Sequence, residues 1–190
     1  WSRGLGDVYK RQNKDIKIAF DEWNTYVEAT PPYFIENYNI ADAIYAASLL
    51  NACINRGDII TNTGIYHLIN VMGNYRIEKK KIWKTPTTLV LELYTKFHKG
   101  KILKSVVNSS NFVSFKLGKQ PEYKNNKLID SAVTMNGKHM CMSVVNKSSS
   151  EKILLKVPYL DRIAENYCIE GSNKVDLNTC LLYTSDAADE

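Results

Sequence analysis

Four consecutive residues, Asp21, Glu22, Trp23 and Asn24, bring two carboxylates, an indole and a side-chain amide together. They follow Ile18, Ala19 and Phe20, an apolar run too short for a stable helix and suited to a strand buried on both faces. Such a polar cluster at the carboxyl end of a parallel strand is the material of an α/β active site. The same residues would also serve as an ordinary polar turn. Neighbours on a strand point to opposite sides, so Asp21 is not expected to act as the partner of Glu22 and reads as a supporting group.

The run Ile18-Ala19-Phe20-Asp21-Glu22-Trp23-Asn24 resembles the nucleophile motif of the α-L-arabinofuranosidases of glycoside hydrolase family 51. The resemblance implies that Glu22 is the catalytic nucleophile, at the end of the seventh strand of a (β/α)8 barrel. It also implies sugar-binding roles for Trp23, Asn24 and Tyr26, the last standing where the family often carries Trp. Leu68-Ile69-Asn70-Val71 is similar to the family's Leu-Val-Asn-Val. The family's sugar-binding Gln just before it is replaced here by His67. A lone His beside apolar residues would equally be a structural side chain.

The two ends are set apart. Residues 1–12 and 180–190 read as WSRGLGDVYKRQ and CLLYTSDAADE. Back-translated, Asp7 to Gln12 has a reverse complement that reads, shifted by one base, as Cys180 to Ser185. This resembles translated sequencing adapters, so both ends are excluded from fold reasoning. Residues 13–179 are expected to be an internal piece of a longer protein.

The 190 residues carry 25 Lys+Arg and 20 Asp+Glu. Leaving out the ends moves the net charge only from +5 to +6. The one dense basic run, Arg76 to Lys84, reads as a solvated loop. No aromatic platform or nucleic-acid motif accompanies it, and no nucleic-acid partner is expected. Cys53, Cys141 and Cys168 lack the spacing of a disulfide framework or a zinc site. No apolar run reaches the roughly 18 residues of a membrane-spanning helix, so no membrane partner is expected. No phosphate-cradling glycine loop and no serine or thiol nucleophile motif is present. Neither a metal nor another cofactor is expected.

Residues 13–100 read as the last two β/α units of the barrel. A mouth loop, Thr25 to Tyr38, leads to a helix over Asn39 to Arg56. Asn39 is its N-cap, Asp42 completes a capping box, and Ile40, Ala43, Ile44, Ala47, Leu50 and Ile54 form the apolar face. Asp58-Ile59-Ile60 opens the next strand. A second helix fills Lys84 to Gly100, with Thr85 as N-cap, Pro86 at its first position, Leu89, Val90, Leu93 and Phe97 as its stripe, and Gly100 as its stop. Residues 101–179 then turn to strands over Lys101 to Val107, Asn111 to Leu117, Ser131 to Met135, Lys138 to Val145 and Lys152 to Val157. Asn136-Gly137 signals a type I′ hairpin. The fold class is thus α/β plus all-β, a barrel end followed by a partial antiparallel β-sandwich.

Retaining glycosidases use two carboxyl groups about 5–5.5 Å apart. No second carboxylate in the chain has the right context. In the family the acid/base is a Glu of an Asn-Glu pair after the fourth strand, expected upstream of Asn13. The chain alone is therefore expected to hydrolyse nothing and to leave apolar helix faces uncovered. The resemblance implies an arabinose-containing oligosaccharide or polysaccharide as substrate and, for the parent, a cytoplasmic homo-oligomer. Two rival readings are a non-catalytic carbohydrate-binding or assembly sandwich and another barrel glycosidase with a Glu nucleophile on strand seven.

Overall fold

The computed structural model describes residues 15–25, 38–116, 118, 120–158, 162–163 and 165–171. The chain opens with a parallel unit. Strand β1 (Ile18–Trp23) is followed by helix α1 (Ile40–Asn55) and strand β2 (Ile60–Ile65), which lies parallel to β1. Parallel neighbours need a long crossover, and α1 supplies it. Asn39 caps α1 as its sequence demands. Its side chain accepts from Ala41 N at 2.8 Å, and Asp42 accepts from Asn39 N at 2.8 Å, closing the capping box. Ile40, Ala43, Ala46 and Leu50 of α1 form the core with Trp23 and Val90.

β1 is not buried on both faces. Ile18 and Phe20 are 47% and 37% exposed. β2 is the only strand paired with β1 among the described residues, and within β1 only Trp23 is buried. Exposed apolar side chains lie on this strand and, on α1, at Tyr45, which is 40% exposed. α1 and α2 pack on each other and on the C-terminal sheet.

After β2, residues 66–74 form a tight loop, and a hairpin of β3 (Tyr75–Glu78) and β4 (Lys81–Lys84) follows. The basic run is therefore a β-hairpin and not an irregular loop. Alternation within it was masked by charge, since Ile77 and Ile82 share one face and Arg76 and Trp83 the other. Helix α2 (Pro86–Phe97) comes next. Thr85 sits at its N-cap, but its hydroxyl gives no cap bond. It turns back to Asn74 O at 3.1 Å and tethers the helix start to the loop.

Strands β5 (Lys101–Leu103), β8 (Ile129–Asn136) and β9 (His139–Asn146) form an antiparallel sheet in the order β5-β8-β9. β6 (Asn111–Ser114) and β7 (Tyr123–Lys127) form a separate antiparallel pair. β7 was hidden in the sequence because Tyr123-Lys-Asn-Asn-Lys has one aromatic and no apolar alternation. The expected strand over Lys152 to Val157 is absent: the segment has no ladder partner and leaves Leu154 97% exposed. The β8–β9 turn is shifted by one residue. Asn136 pairs with His139, so Gly137 and Lys138 are the central residues. Gly137 has φ 59° and Lys138 is not among the residues of positive φ, which is the type II′ pattern and not type I′.

Gly100 joins the two halves. Its φ is 78°, and a Cβ there would lie 2.2 Å from Met135 O. Only glycine lets α2 end and β5 pair with β8 in one step. Across the junction, buried Asn51 accepts hydrogen bonds from Tyr94 OH at 2.7 Å and Ser143 Oγ at 2.5 Å. Asn55 Nδ2 donates to Ser131 O at 2.9 Å. The strand face with Ser143 and Cys141 thus looks toward the helices, while Met140 and Val144 of the other face are 44% and 40% exposed.

Candidate active site

β1 and β2 end together, Trp23 opposite Ile65, and Tyr66 N donates to Trp23 O at 3.0 Å. Between the pairs Phe20–Thr63 and Trp23–Ile65, two residues of β1 face one of β2, so Asp21 and Glu22 form a β-bulge. Bulges re-aim side chains and recur beside active sites. Here the bulge falls on the one residue pair in the strand able to do acid–base or nucleophilic chemistry. Gly64 lies opposite, where a Cβ would stand 3.5 Å from Asp21 O.

An open cleft of about 520 Å³ lies at this strand end, lined by Glu22, Trp23, Asn24, Thr25, Tyr66, His67, Val71 and Met72. Four of the five residues singled out from the sequence, Glu22, Trp23, Asn24 and His67, meet there. Tyr26 lies outside the described residues. Asp21 does not line the cleft.

Each wall has a distinct physical role. Glu22 is solvent-exposed. Trp23 is only 4% exposed, with its ring in the apolar core and tilted against Tyr45 at 6.5 Å. Its Nε1 donates to Thr63 Oγ1 at 2.6 Å, which satisfies the indole and fixes its rotamer. Asn24 Nδ2 donates to Tyr66 O at 3.2 Å and to Met72 O, and its Oδ1 accepts from Thr25 N at 2.8 Å. Both amide hydrogens thus clamp β1 to the loop 66–72. Thr25 Oγ1 in turn donates to buried Asp42 Oδ1 at 2.5 Å. One carboxylate therefore caps α1 with one oxygen and holds the cleft with the other.

The loop 66–72 is strained. His67, Asn70, Val71 and Met72 have φ of 65°, 49°, 25° and 63°. Left-handed backbone is costly for such side chains, above all for β-branched Val71. A lattice of bonds over-determines it. Asn70 N donates to Tyr75 O at 2.8 Å, Ile77 N to Asn70 Oδ1 at 2.7 Å, and Gly73 N to Asn70 O at 2.6 Å. Strain retained in this way concentrates at ligand sites. The His67 ring stands edge-on to Tyr66, centroids 3.8 Å apart.

Thr25, Tyr66 and Met72 were not singled out from the sequence, and Val71 entered only within the Leu68–Val71 match. Tyr66 carried a usable signal as the neighbour of His67; Thr25 and Met72 carried none. Among the described residues the thiols offer no rival nucleophile. Burial pushes Cys53, Cys141 and Cys168 upward, which keeps them protonated near neutrality. Among the described residues no group of three or more His, Cys, Asp and Glu could hold a metal ion. No described helix is long and apolar enough to cross a membrane.

The chain is similar to known proteins. Residues 21–180 match the family described as the α-L-arabinofuranosidase C-terminal domain. An intracellular exo-α-(1→5)-L-arabinofuranosidase of Streptomyces lividans is 26% identical over 161 residues, covering 77% of this chain and 24% of that protein. The GH51 α-L-arabinofuranosidase structure from Thermotoga petrophila RKU-1 superposes with TM-score 0.70 at 24% identity, over 86% of this chain and 36% of the other. An α-L-arabinofuranosidase structure from Thermotoga maritima, an arabinose complex, gives 0.62 at 25% identity, over 74% and 30%. The chain thus spans about a quarter to a third of the length of these relatives. With most of its residues inside the matched region, the chain belongs to the family of the α-L-arabinofuranosidase C-terminal domain.

Proposed function

We propose that the chain is the C-terminal part of a retaining, exo-acting α-L-arabinofuranosidase, comprising the last two β/α units of a (β/α)8 barrel and part of a β-sandwich. In this reading Glu22 is the nucleophile. The observation that carries it is the convergence of Glu22, Trp23, Asn24 and His67 on one cleft at the carboxyl end of a parallel strand pair. Ligands of α/β folds bind at that end, and the relatives are named for release of arabinofuranose.

The chemistry follows from the groups. Ionised Glu22 attacks the anomeric carbon of a terminal α-L-arabinofuranosyl residue and forms a glycosyl ester as the leaving oxygen takes a proton from a second carboxyl group. That group then deprotonates water, which cleaves the ester and returns Glu22. Trp23 gives an apolar wall. His67 stands where its ring nitrogens can meet sugar hydroxyls. Asn24 keeps the wall in register. The second carboxyl group is assigned to sequence preceding Asn13.

The test begins with the complete reading frame from the same source DNA. It should contain an Asn-Glu pair after a strand-like run well upstream. The full protein should release arabinose from an aryl α-L-arabinofuranoside, and Glu22→Gln should reduce kcat by at least about a thousandfold, as deletion of a nucleophile does. The isolated chain should release none. An unchanged kcat in Glu22→Gln would sink the assignment.

A further inference from the structure

The β3–β4 hairpin is the most strongly charged feature among the described residues, and it stands beside the cleft. Residues 75–84 hold five cations, Arg76, Lys79, Lys80, Lys81 and Lys84, against one acid, Glu78. Lys84 is held by Glu92 at 2.7 Å, and Arg76 lies over the Trp83 ring at 5.7 Å. Lys79, Lys80 and Lys81 are exposed at the tip.

Three features separate this tip from an ordinary solvated turn. The hairpin is inserted between the end of β2 and the start of α2, the same end of the parallel unit as the cleft. It is also tied to the cleft wall itself. Tyr75 N donates to Leu68 O, Tyr75 O accepts from Asn70 N, and Ile77 N donates to Asn70 Oδ1, in the loop that supplies His67, Val71 and Met72. Finally, Lys79 has φ 56°, a turn position that favours glycine. A lysine stands there despite a local cost of about 1 kcal/mol.

We propose that this hairpin is a specificity element that binds anionic groups, carboxylates above all, on a polysaccharide whose terminal sugar occupies the cleft. The inference rests on the glycosidase reading and names the substrate class: arabinofuranosyl branches carried on an acidic polymer. Four strand residues place the tip about 13 Å from Tyr75, where the hairpin is tied to the loop. That exceeds the Debye length of about 8 Å at physiological salt. The lysines therefore leave a small sugar in the cleft untouched and act on the chain that bears it. The exposed Ile77–Ile82 pair gives the same strip an apolar face for the polymer to lie along.

The test uses the full-length enzyme, an arabinosylated polyuronate, the same polymer after reduction of its carboxyl groups, and a neutral aryl arabinofuranoside. Wild type should show kcat/KM about fivefold or more higher on the acidic polymer than on the reduced one, the scale of several exposed ion pairs together. The preference should vanish in 0.5–1 M salt, roughly, where screening is nearly complete, and in a triple variant Lys79→Glu, Lys80→Glu, Lys81→Glu. That variant should match wild type on the aryl substrate. Equal rates on both polymers, or a preference that survives the triple change, would overturn the proposal. Tip-dependent binding of duplex DNA without polymer preference would overturn it in favour of a nucleic-acid surface. Failure of the glycosidase reading looks different: the aryl substrate would not be cleaved at all. Affinity electrophoresis of the protein through the two polymers would then still decide the hairpin's role.

Discussion

At the scale of single residues, the site depends on side chains doing two things at once. Asp42 caps α1 and holds Thr25; Asn24 ends β1 and grips the 66–72 loop. Asp42→Ala should cost about 2–3 kcal/mol, since a buried carboxylate loses two charge-assisted bonds. Thr25→Val should cost only about 1 kcal/mol, one hydroxyl bond. Urea midpoints at constant m would separate the two; equal effects would deny Asp42 its double role. Glu22, Trp23 and Asn24 were legible in the sequence because they are contiguous and follow a strand. Their supports were not, because the Thr25–Asp42 and Asn24–Met72 bonds cross 17 and 48 residues. Asp42 could be read as a capping residue from local spacing, but nothing local reports where its second oxygen goes.

At the scale of elements, backbone conformation decides what can be changed. Gly100→Ala should destabilise the protein by more than about 2 kcal/mol, because it adds left-handed strain and a collision with Met135 O. Lys79→Gly should do the reverse and raise stability by about 0.5–1 kcal/mol through relief of its positive φ. Thermal melts of both variants against wild type check the opposite signs, and a neutral Gly100→Ala would show that the junction tolerates movement. Both helices were legible from capping and periodicity to within three residues at their ends. The β3–β4 hairpin was concealed by its lysines. The turn in β8–β9 was recognised but misregistered, because Asn-Gly names a turn without saying which of its residues is central. The expected strand beyond Lys152 failed because apolar composition alone does not provide a neighbour to pair with.

At the scale of the whole molecule, a polar seam joins the helices to the C-terminal sheet. Tyr94→Phe removes a hydroxyl that donates to buried Asn51 and should cost about 1 kcal/mol. His98 lies in the same seam, with Nδ1 3.1 Å from Thr134 Oγ1 and Nε2 buried without a bonding partner among the described residues. Burial lowers its pKa below the usual 6.5. The unfolded chain therefore binds a proton more readily, so His98 contributes no penalty above pH 6.5. Stability is lost as pH falls from there through the lower folded value. Denaturant titrations between pH 7 and 5 should show this loss, and His98→Asn should flatten it; an unchanged slope would place its origin elsewhere. The exposed face of β1, with Ile18 and Phe20, is the main place where the sequence expectation of a buried strand and the structure part. An apolar strand reports that it wants cover but not what supplies it. The central claim, that Glu22 forms a covalent bond to the sugar, is tested most directly by trapping that bond. The full-length enzyme would be treated with an activated fluorinated arabinofuranoside that forms the ester quickly and loses it slowly, and the adduct located by peptide mass spectrometry. The account predicts one glycosyl group per active site, on the peptide holding Asp21 to Asn24 and on Glu22 itself. A glycosyl group on any other carboxylate, or rapid turnover with inverted product and no adduct, would contradict it.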